Sequence, residues 1–171
     1  MAVNLHTTDS RGFADLHMHT KFSDGDLSVD ELIRLSKKKG LRCISITDHD
    51  NLDSYNAALE PAKEVGIEII PGIEISSVYE GRDIHILGYF CDPTNLALNL
   101  ELENFTRQRI TRAKAIIKKL NTLGIDIQYE KVASFCNGKV IGRPHIAKTL
   151  VAEEYISSFA DAVSPEPSNF A

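Results

Sequence analysis

The chain has 171 residues, 43% hydrophobic and 25% charged, with a formal net charge of -5. That length supports a real core but falls short of the roughly 250 residues of a complete strand-helix barrel, and the composition excludes a disordered or fibrous chain. The acidic balance excludes a global attraction to nucleic acid, so phosphate binding would have to rest on a local basic patch or a bound metal cluster.

Phe13 to His19 reads as a short strand. Its two histidines stand at i and i+2, and because strand side chains alternate, both imidazoles point the same way and can share an ion. After a loop from Lys21 to Leu27, Ser28 and Glu31 have capping-box spacing, opening a helix that runs to Lys39 with Gly40 as its stop. Leu41 to Thr47 is the second strand, followed by Asp48-His49-Asp50, a helix from about Leu52, and Val65-Gly66 as its terminator. Two such units imply right-handed crossovers and neighbouring parallel strands. Ile67 to Ile70 begins a third strand that is expected to reach Glu74.

Ile75 to Tyr79, the Glu80-Gly81 turn and Asp83 to Phe90 read either as a hairpin-like excursion or as a further strand carrying His85. From Asp92 the pattern turns helical, with Leu102, Phe105, Ile110, Ala113, Ile116, Ile117 and Leu120 forming one apolar stripe that ends at Leu123-Gly124. The remaining face carries Arg107, Arg109, Arg112, Lys114, Lys118 and Lys119, and is expected to be solvated, as charged helix faces usually are. A short helix is expected from Glu130 to Cys136, then an Asn137-Gly138 turn, then a helix opening at Arg143-Pro144-His145 with the proline in its first turn. The chain thus divides into residues 13–91 with the ligand motifs, a helical and substrate-contact segment at 92–155, and a frayed tail at 156–171.

Cys43, Cys91 and Cys136 stand far apart with no Cys-x-x-Cys spacing, which suggests neither a disulfide framework nor a zinc ribbon. With no signal-peptide pattern at the start and no membrane-length apolar run, a reducing cytoplasm is the expected location.

The chemistry lies at the strand ends: His17 and His19, Asp24, Asp48-His49-Asp50, and Glu74. In a repeating strand-helix chain the carboxyl ends of parallel strands open on one face, so these groups converge there. Imidazoles and carboxylates on one face are what a divalent metal cluster needs. Each has a plainer alternative. Asp24 could cap its loop, Asp48 and Asp50 could cap a helix or orient His49, and His85 could be an inward strand histidine satisfied by a neighbour. Asp53 suits a helix N-terminus, and His6 reads as a bystander. Phosphate-loop, dinucleotide and zincin motifs are absent, which argues against those enzyme classes.

Ala14-Asp-Leu-His-Met-His-Thr20, Phe22-Ser-Asp-Gly25, Ile46-Thr-Asp-His-Asp50 and Pro71-Gly-Ile-Glu-Ile-Ser76 together resemble the polymerase and histidinol phosphatase (PHP) superfamily over about residues 13 to 155. Gly88-Tyr-Phe90 and Gly142-Arg-Pro-His-Ile146 resemble its branch of 3',5'-bisphosphonucleotide phosphatases and 5'-3' exoribonucleases. The resemblance implies an α/β fold, the N-terminal part of a distorted (βα)7 barrel with a helical insertion, and two or three divalent ions of manganese, zinc or iron. It implies that His17 and His19 hold one ion, that Glu74 bridges it to a second bound by His85, and that Asp24 and His49 hold the third. Arg143 and His145 would contact the phosphate of a nucleotide or short oligonucleotide, with no stable duplex DNA binding expected.

Family members close the site with a later Ala-His-Pro histidine and an Asp-x-His pair. Neither the Ala-His-Pro setting nor a late Gly-Ser-Asp-x-His occurs here, so the chain is expected to be the N-terminal portion of such a metal-dependent phosphoesterase, with impaired activity. The rival is a non-catalytic metal-binding remnant or half-barrel that needs a complementary chain. Histidinol phosphatase and polymerase-associated exonuclease are disfavoured by the helical segment after Asp92 and the Arg143-Pro144-His145 stretch.

Overall fold

The structure, a computed structural model, describes residues 12–136 and 140–163. The expectations for His6, for the Asn137-Gly138 turn and for residues 164–171 fall outside those residues.

Strand β1 (Phe13–Met18) leads through a loop into helix α1 (Val29–Lys38), then β2 (Leu41–Ile46) and α2 (Asp53–Val65). The Ser28 side chain accepts the Glu31 N–H, while the Glu31 carboxylate accepts the Ser28 N–H at 2.8 Å, which closes the capping box. Val29, Leu32, Ile33 and Ser36 are buried at i, i+3, i+4 and i+7, so α1 lays one stripe on the sheet. Gly66, in the left-handed conformation at φ 69°, ends α2 as its sequence position demands. Ile33, Ile44, Ile46, Ala58, Ala62 and Ile67 then form a core between the two helices and the strands.

The strands β1, β2 and β3 (Glu68–Ile69) are parallel and lie in that order. The third strand is shorter than its apolar run suggests. It stops after Ile69, and Glu74 belongs instead to β4 (Gly72–Tyr79). Pro71 has no N–H to donate to a ladder, and the Ile70 carbonyl accepts the Ser45 hydroxyl at 3.0 Å. The register nonetheless survives the break, because Cys43 faces Glu68 and His49 faces Glu74 in the same parallel sense. Gly72 makes the close passage possible, since a Cβ there would lie 2.1 Å from the Ser45 hydroxyl oxygen.

Strand β4 pairs antiparallel with β5 (Arg82–Tyr89), which resolves the open alternative in favour of a hairpin. Its two turn residues, Glu80 and Gly81, both have positive φ, as a tight two-residue hairpin requires. Helix α3 (Leu96–Thr122) follows, then α4 (Tyr129–Ser134), α5 (Arg143–Ala152) and α6 (Phe159–Val163). The last falls in a segment expected to fray. The α3 stripe divides between two cores. Leu98, Leu102 and Phe105 pack with Leu52 and Ile73 of the strand layer, whereas Ala113, Ile116, Ile117 and Leu120 pack with α4 and α5. A single long helix therefore joins the strand layer to the helical layer.

Ile33→Ala empties a fully buried position and is expected to lower the unfolding free energy by about 2–5 kcal/mol in urea melts. Leu35→Ala, on the 41% exposed side of the same helix, should stay within about 0.5 kcal/mol. Equal losses at the two positions would contradict this placement of the α1 stripe.

Candidate metal centre

Five separate segments deliver the candidate ligands. His17 is the penultimate residue of β1 and His19 follows the strand. His49 lies beyond the end of β2, and Glu74 pairs with it across a parallel bridge. Asp24 comes from the loop after β1, which turns back on itself at Gly25, where a Cβ would lie 2.4 Å from the His19 carbonyl oxygen. His85 comes from β5, whose ladder places it opposite Ser76, on the face that Glu74 also occupies.

The centre is organised around Glu74, whose side chain is 5% exposed. His17 Nε2 lies 3.0 Å and His19 Nε2 2.9 Å from Glu74 Oε2, while His85 Nδ1 lies 2.7 Å from Oε1. His49 Nδ1 is 3.8 Å from Oε2, and His49 Nε2 is 3.5 Å from Asp24 Oδ2. Three overlapping donor groups result: His17, His19 and Glu74; His19, Asp24 and His49; and His49, Glu74 and His85. The structure thus brings together all six predicted ligands.

Two observations fit this donor set to metal ions. The nitrogens of His17 and His19 are 3.2 Å apart and both crowd one carboxylate oxygen. Edges of that length match the spacing of about 3 Å between adjacent ligands at bond lengths of ~2.1 Å. His49 Nδ1, moreover, is buried with no hydrogen-bond partner, a costly state that a positive ion would relieve.

Burial and charge act against each other here. Burial favours the neutral acid at Asp24, but its hydrogen bond and charge attraction with His49 outweigh this and hold the carboxyl well below its usual range. Burial also opposes a proton on His49, yet Asp24 and Glu74 together raise its pKa above the ordinary imidazole value. For His19 burial prevails and the pKa falls. Glu74 is depressed because its imidazole neighbours outweigh desolvation.

The two aspartates flanking His49 bond to other segments of the chain rather than to its ring. Asp48 is fully buried and accepts the Thr20 N–H at 2.7 Å, the Thr20 hydroxyl at 2.6 Å and the Ser23 hydroxyl at 2.6 Å, which ties the Asp24 loop to the end of β2. Asp50 accepts the Ser76 N–H at 2.8 Å and Arg109 Nε–H at 2.6 Å. The expected orientation of His49 through these carboxylates is therefore indirect.

Arg143 donates to Asp83 at 2.6 Å and is 60% exposed, with the guanidinium of Arg112 3.9 Å from the same oxygen. Asp83 precedes His85 by two residues on β5 and so shares its face. His145, at the start of α5, is buried, accepts the Gly142 N–H at 3.0 Å through Nδ1, and bonds to the Ser23 backbone. It braces α5 against the Asp24 loop. Arg109 departs from expectation, since it reaches inward to Asp50 and Ser76 instead of lying on a solvated face. Its signal was present in the sequence: a lone cation four residues after Phe105 and four before Ala113, inside the apolar stripe.

Among the described residues no helix is long and apolar enough to cross a membrane. The chain is 38% identical over 148 residues to a Haemophilus influenzae protein named 5'-3' exoribonuclease, covering 86% of this chain and 54% of the relative. It is 31% identical over 138 residues to the Chromobacterium violaceum 3',5'-nucleoside bisphosphate phosphatase, covering 80% of this chain and 48% of that protein. It therefore spans about half the length of the curated relatives it matches. In structure it resembles a Chromobacterium violaceum amidohydrolase determined with bound sulfate and no metal, with a TM-score of 0.82 and 27% identity over 89% of this chain and 55% of that one. The PHP domain itself matches residues 15–161, which takes in all six converging ligands, and the chain accordingly belongs to the PHP domain family.

Proposed function

We propose that this chain supplies the metal-binding portion of a phosphoesterase that hydrolyses nucleotide or short oligonucleotide phosphate esters, of the 3',5'-bisphosphonucleotide phosphatase and 5'-3' exonuclease type. The observation that carries the reading is the convergence of four imidazoles and Asp24 around one buried carboxylate, with His49 Nδ1 buried and without a hydrogen-bond partner. His17, His19, Asp24, His49, Glu74 and His85 would hold two or three divalent ions, such as manganese, zinc or iron. When bound, such ions neutralise phosphate charge and lower the pKa of coordinated water to around 7.

The chain's own residues do the rest. Glu74 keeps the donor groups in register, and Asp48 fixes the Asp24 loop through Thr20 and Ser23. Arg143, exposed beside Asp83, would meet the substrate phosphate, its planar fork being suited to that anion. The names of the two relatives support a nucleotide or RNA substrate.

A second reading is a metal-binding half-site that works only with a complementary chain. It is favoured by β1, which is exposed from Phe13 to His17, with Phe13 78% exposed. Such an open edge invites strand pairing.

Phosphate release from adenosine 3',5'-bisphosphate with added manganese separates the readings. The wild-type chain should release phosphate, and His17→Ala and Glu74→Ala should each reduce release at least about a hundredfold. Unchanged turnover in Glu74→Ala would remove that residue from the machinery. Manganese uptake without release by the wild type would favour the half-site.

Metal uptake should also expel a proton. His49 has a raised pKa in the metal-free chain, so it holds its proton to higher pH than an ordinary imidazole, and a metal needs that nitrogen bare. Affinity should therefore weaken as pH falls through the raised pKa. Calorimetric heats of manganese binding near that pH should scale with the ionisation enthalpy of the buffer, and buffer-independent heats would exclude His49 as a ligand.

A further inference from the structure

Arg109 occupies a position that no step above uses. It stands on the inward side of α3, with its side chain 20% exposed. Nε donates to Asp50 Oδ2 at 2.6 Å and Nη2 donates to the Ser76 hydroxyl. Nη1 lies under Gly142, where a Cβ would come within 3.5 Å of it. One guanidinium therefore meets three segments: the turn after His49, the strand that carries Glu74, and the start of α5.

Asp50 is the pivot of this arrangement. It is 1% exposed, and its backbone takes the left-handed conformation at φ 52°, which aspartate tolerates better than most residues. Its Oδ1 accepts the Ser76 N–H at 2.8 Å, while its own N–H donates to the Glu74 carbonyl at 3.0 Å. The backbone turn presenting His49 is thus held on the strand presenting Glu74, and Arg109 neutralises the carboxylate that does the holding. Helix α3 needs no such anchor of its own, because Leu98, Leu102 and Phe105 seat it on one core and Ala113, Ile116 and Ile117 on another.

We infer that Arg109 is a positioning residue of the metal centre, clamping the Asp50 turn to the Ser76 strand and so setting His49 against Glu74. The inference rests on the metal-centre reading. It assigns the helical segment a part in the geometry of ligands that the strand layer supplies. Only arginine fits, because its fork reaches the carboxylate and the hydroxyl at once, whereas a lysine offers a single point charge.

The test is a cobalt(II) titration of the whole chain, followed by visible absorption, on three proteins: wild type, Arg109→Lys, and the double variant Asp50→Asn with Arg109→Met. The double variant keeps an acceptor for the Ser76 N–H and leaves no unpaired buried charge, which the single methionine change would do. Folding is checked by far-ultraviolet circular dichroism, and if the double variant fails to fold, Arg109→Lys alone decides. The expected result is cobalt affinity about 10–100-fold weaker in the folded variants, with an altered visible band and the smaller loss in the lysine variant. A lower Tm with unchanged affinity and band would mean that Arg109 only stabilises the fold, which overturns the inference. Absence of cobalt binding by the wild type would overturn the metal reading itself, and the positioning role with it.

Discussion

A carboxylate buried in the first half of β4, with four imidazoles within 4 Å, is the constraint that organises this molecule. Glu74 cannot stay ionised there without nearby protons or cations, and the histidines cannot all be protonated without repelling one another. A cluster that is awkward with protons alone becomes favourable with divalent ions, which supply concentrated positive charge and replace several N–H donors at once. The donor chemistry and the packing therefore point in the same direction.

Holding such a cluster requires its backbone to be fixed before any ion arrives, and the fold does this with a second set of buried carboxylates. Asp48 and Asp50 flank His49 and reach opposite ways. Asp48 gathers the loop that carries Asp24, and Asp50 takes the strand that carries Glu74. Both accept several donors, so their burial costs less than that of isolated charges. The parallel register between β2 and the run from Glu68 to Glu74 brings His49 beside Glu74 to begin with, and it survives the interruption at Pro71. Alternation in the strands and fixation by buried hydrogen bonds are thus separate contributions to one geometry.

Much of this was legible in the sequence, for identifiable reasons. The α1 boundaries followed from Ser28, Glu31 and Gly40, because capping is a short-range interaction between named side chains. The convergence of His17, His19, His49 and Glu74 followed from strand-end placement in a repeating strand-helix chain. What escaped were contacts whose partners lie far apart in sequence. Nothing local distinguishes Asp48 as an acceptor for Thr20, or places His145 against Ser23. An apolar stripe through Ile110 leaves the neighbouring Arg109 on the polar face, whereas a stripe through Phe105, Arg109 and Ala113 has equally good spacing and turns it inward. The third strand was drawn too long because an apolar run says nothing about where a proline interrupts the ladder.

The exposure of the ligands is graded, and the gradient gives the proposed site a direction. Glu74 and His49 lie deepest, His19 and Asp24 are intermediate, and His17 and His85 are the most open at 50% and 42%. A catalytic metal site needs coordination positions that face solvent, whereas a structural one is closed by its ligands. The open side here is the one bearing His17 and His85, and Arg143 and Arg112 stand around Asp83 along the His85 strand. Two guanidiniums sharing one carboxylate retain donors and a net positive charge, so an anion approaching from that side meets cations before it meets Glu74. Away from that side, the buried Asp50 and the largely buried Arg109 neutralise each other. Under the proposed reading, the buried arginine and the exposed arginines have different tasks: one fixes the ligands, and the others set the direction from which phosphate approaches.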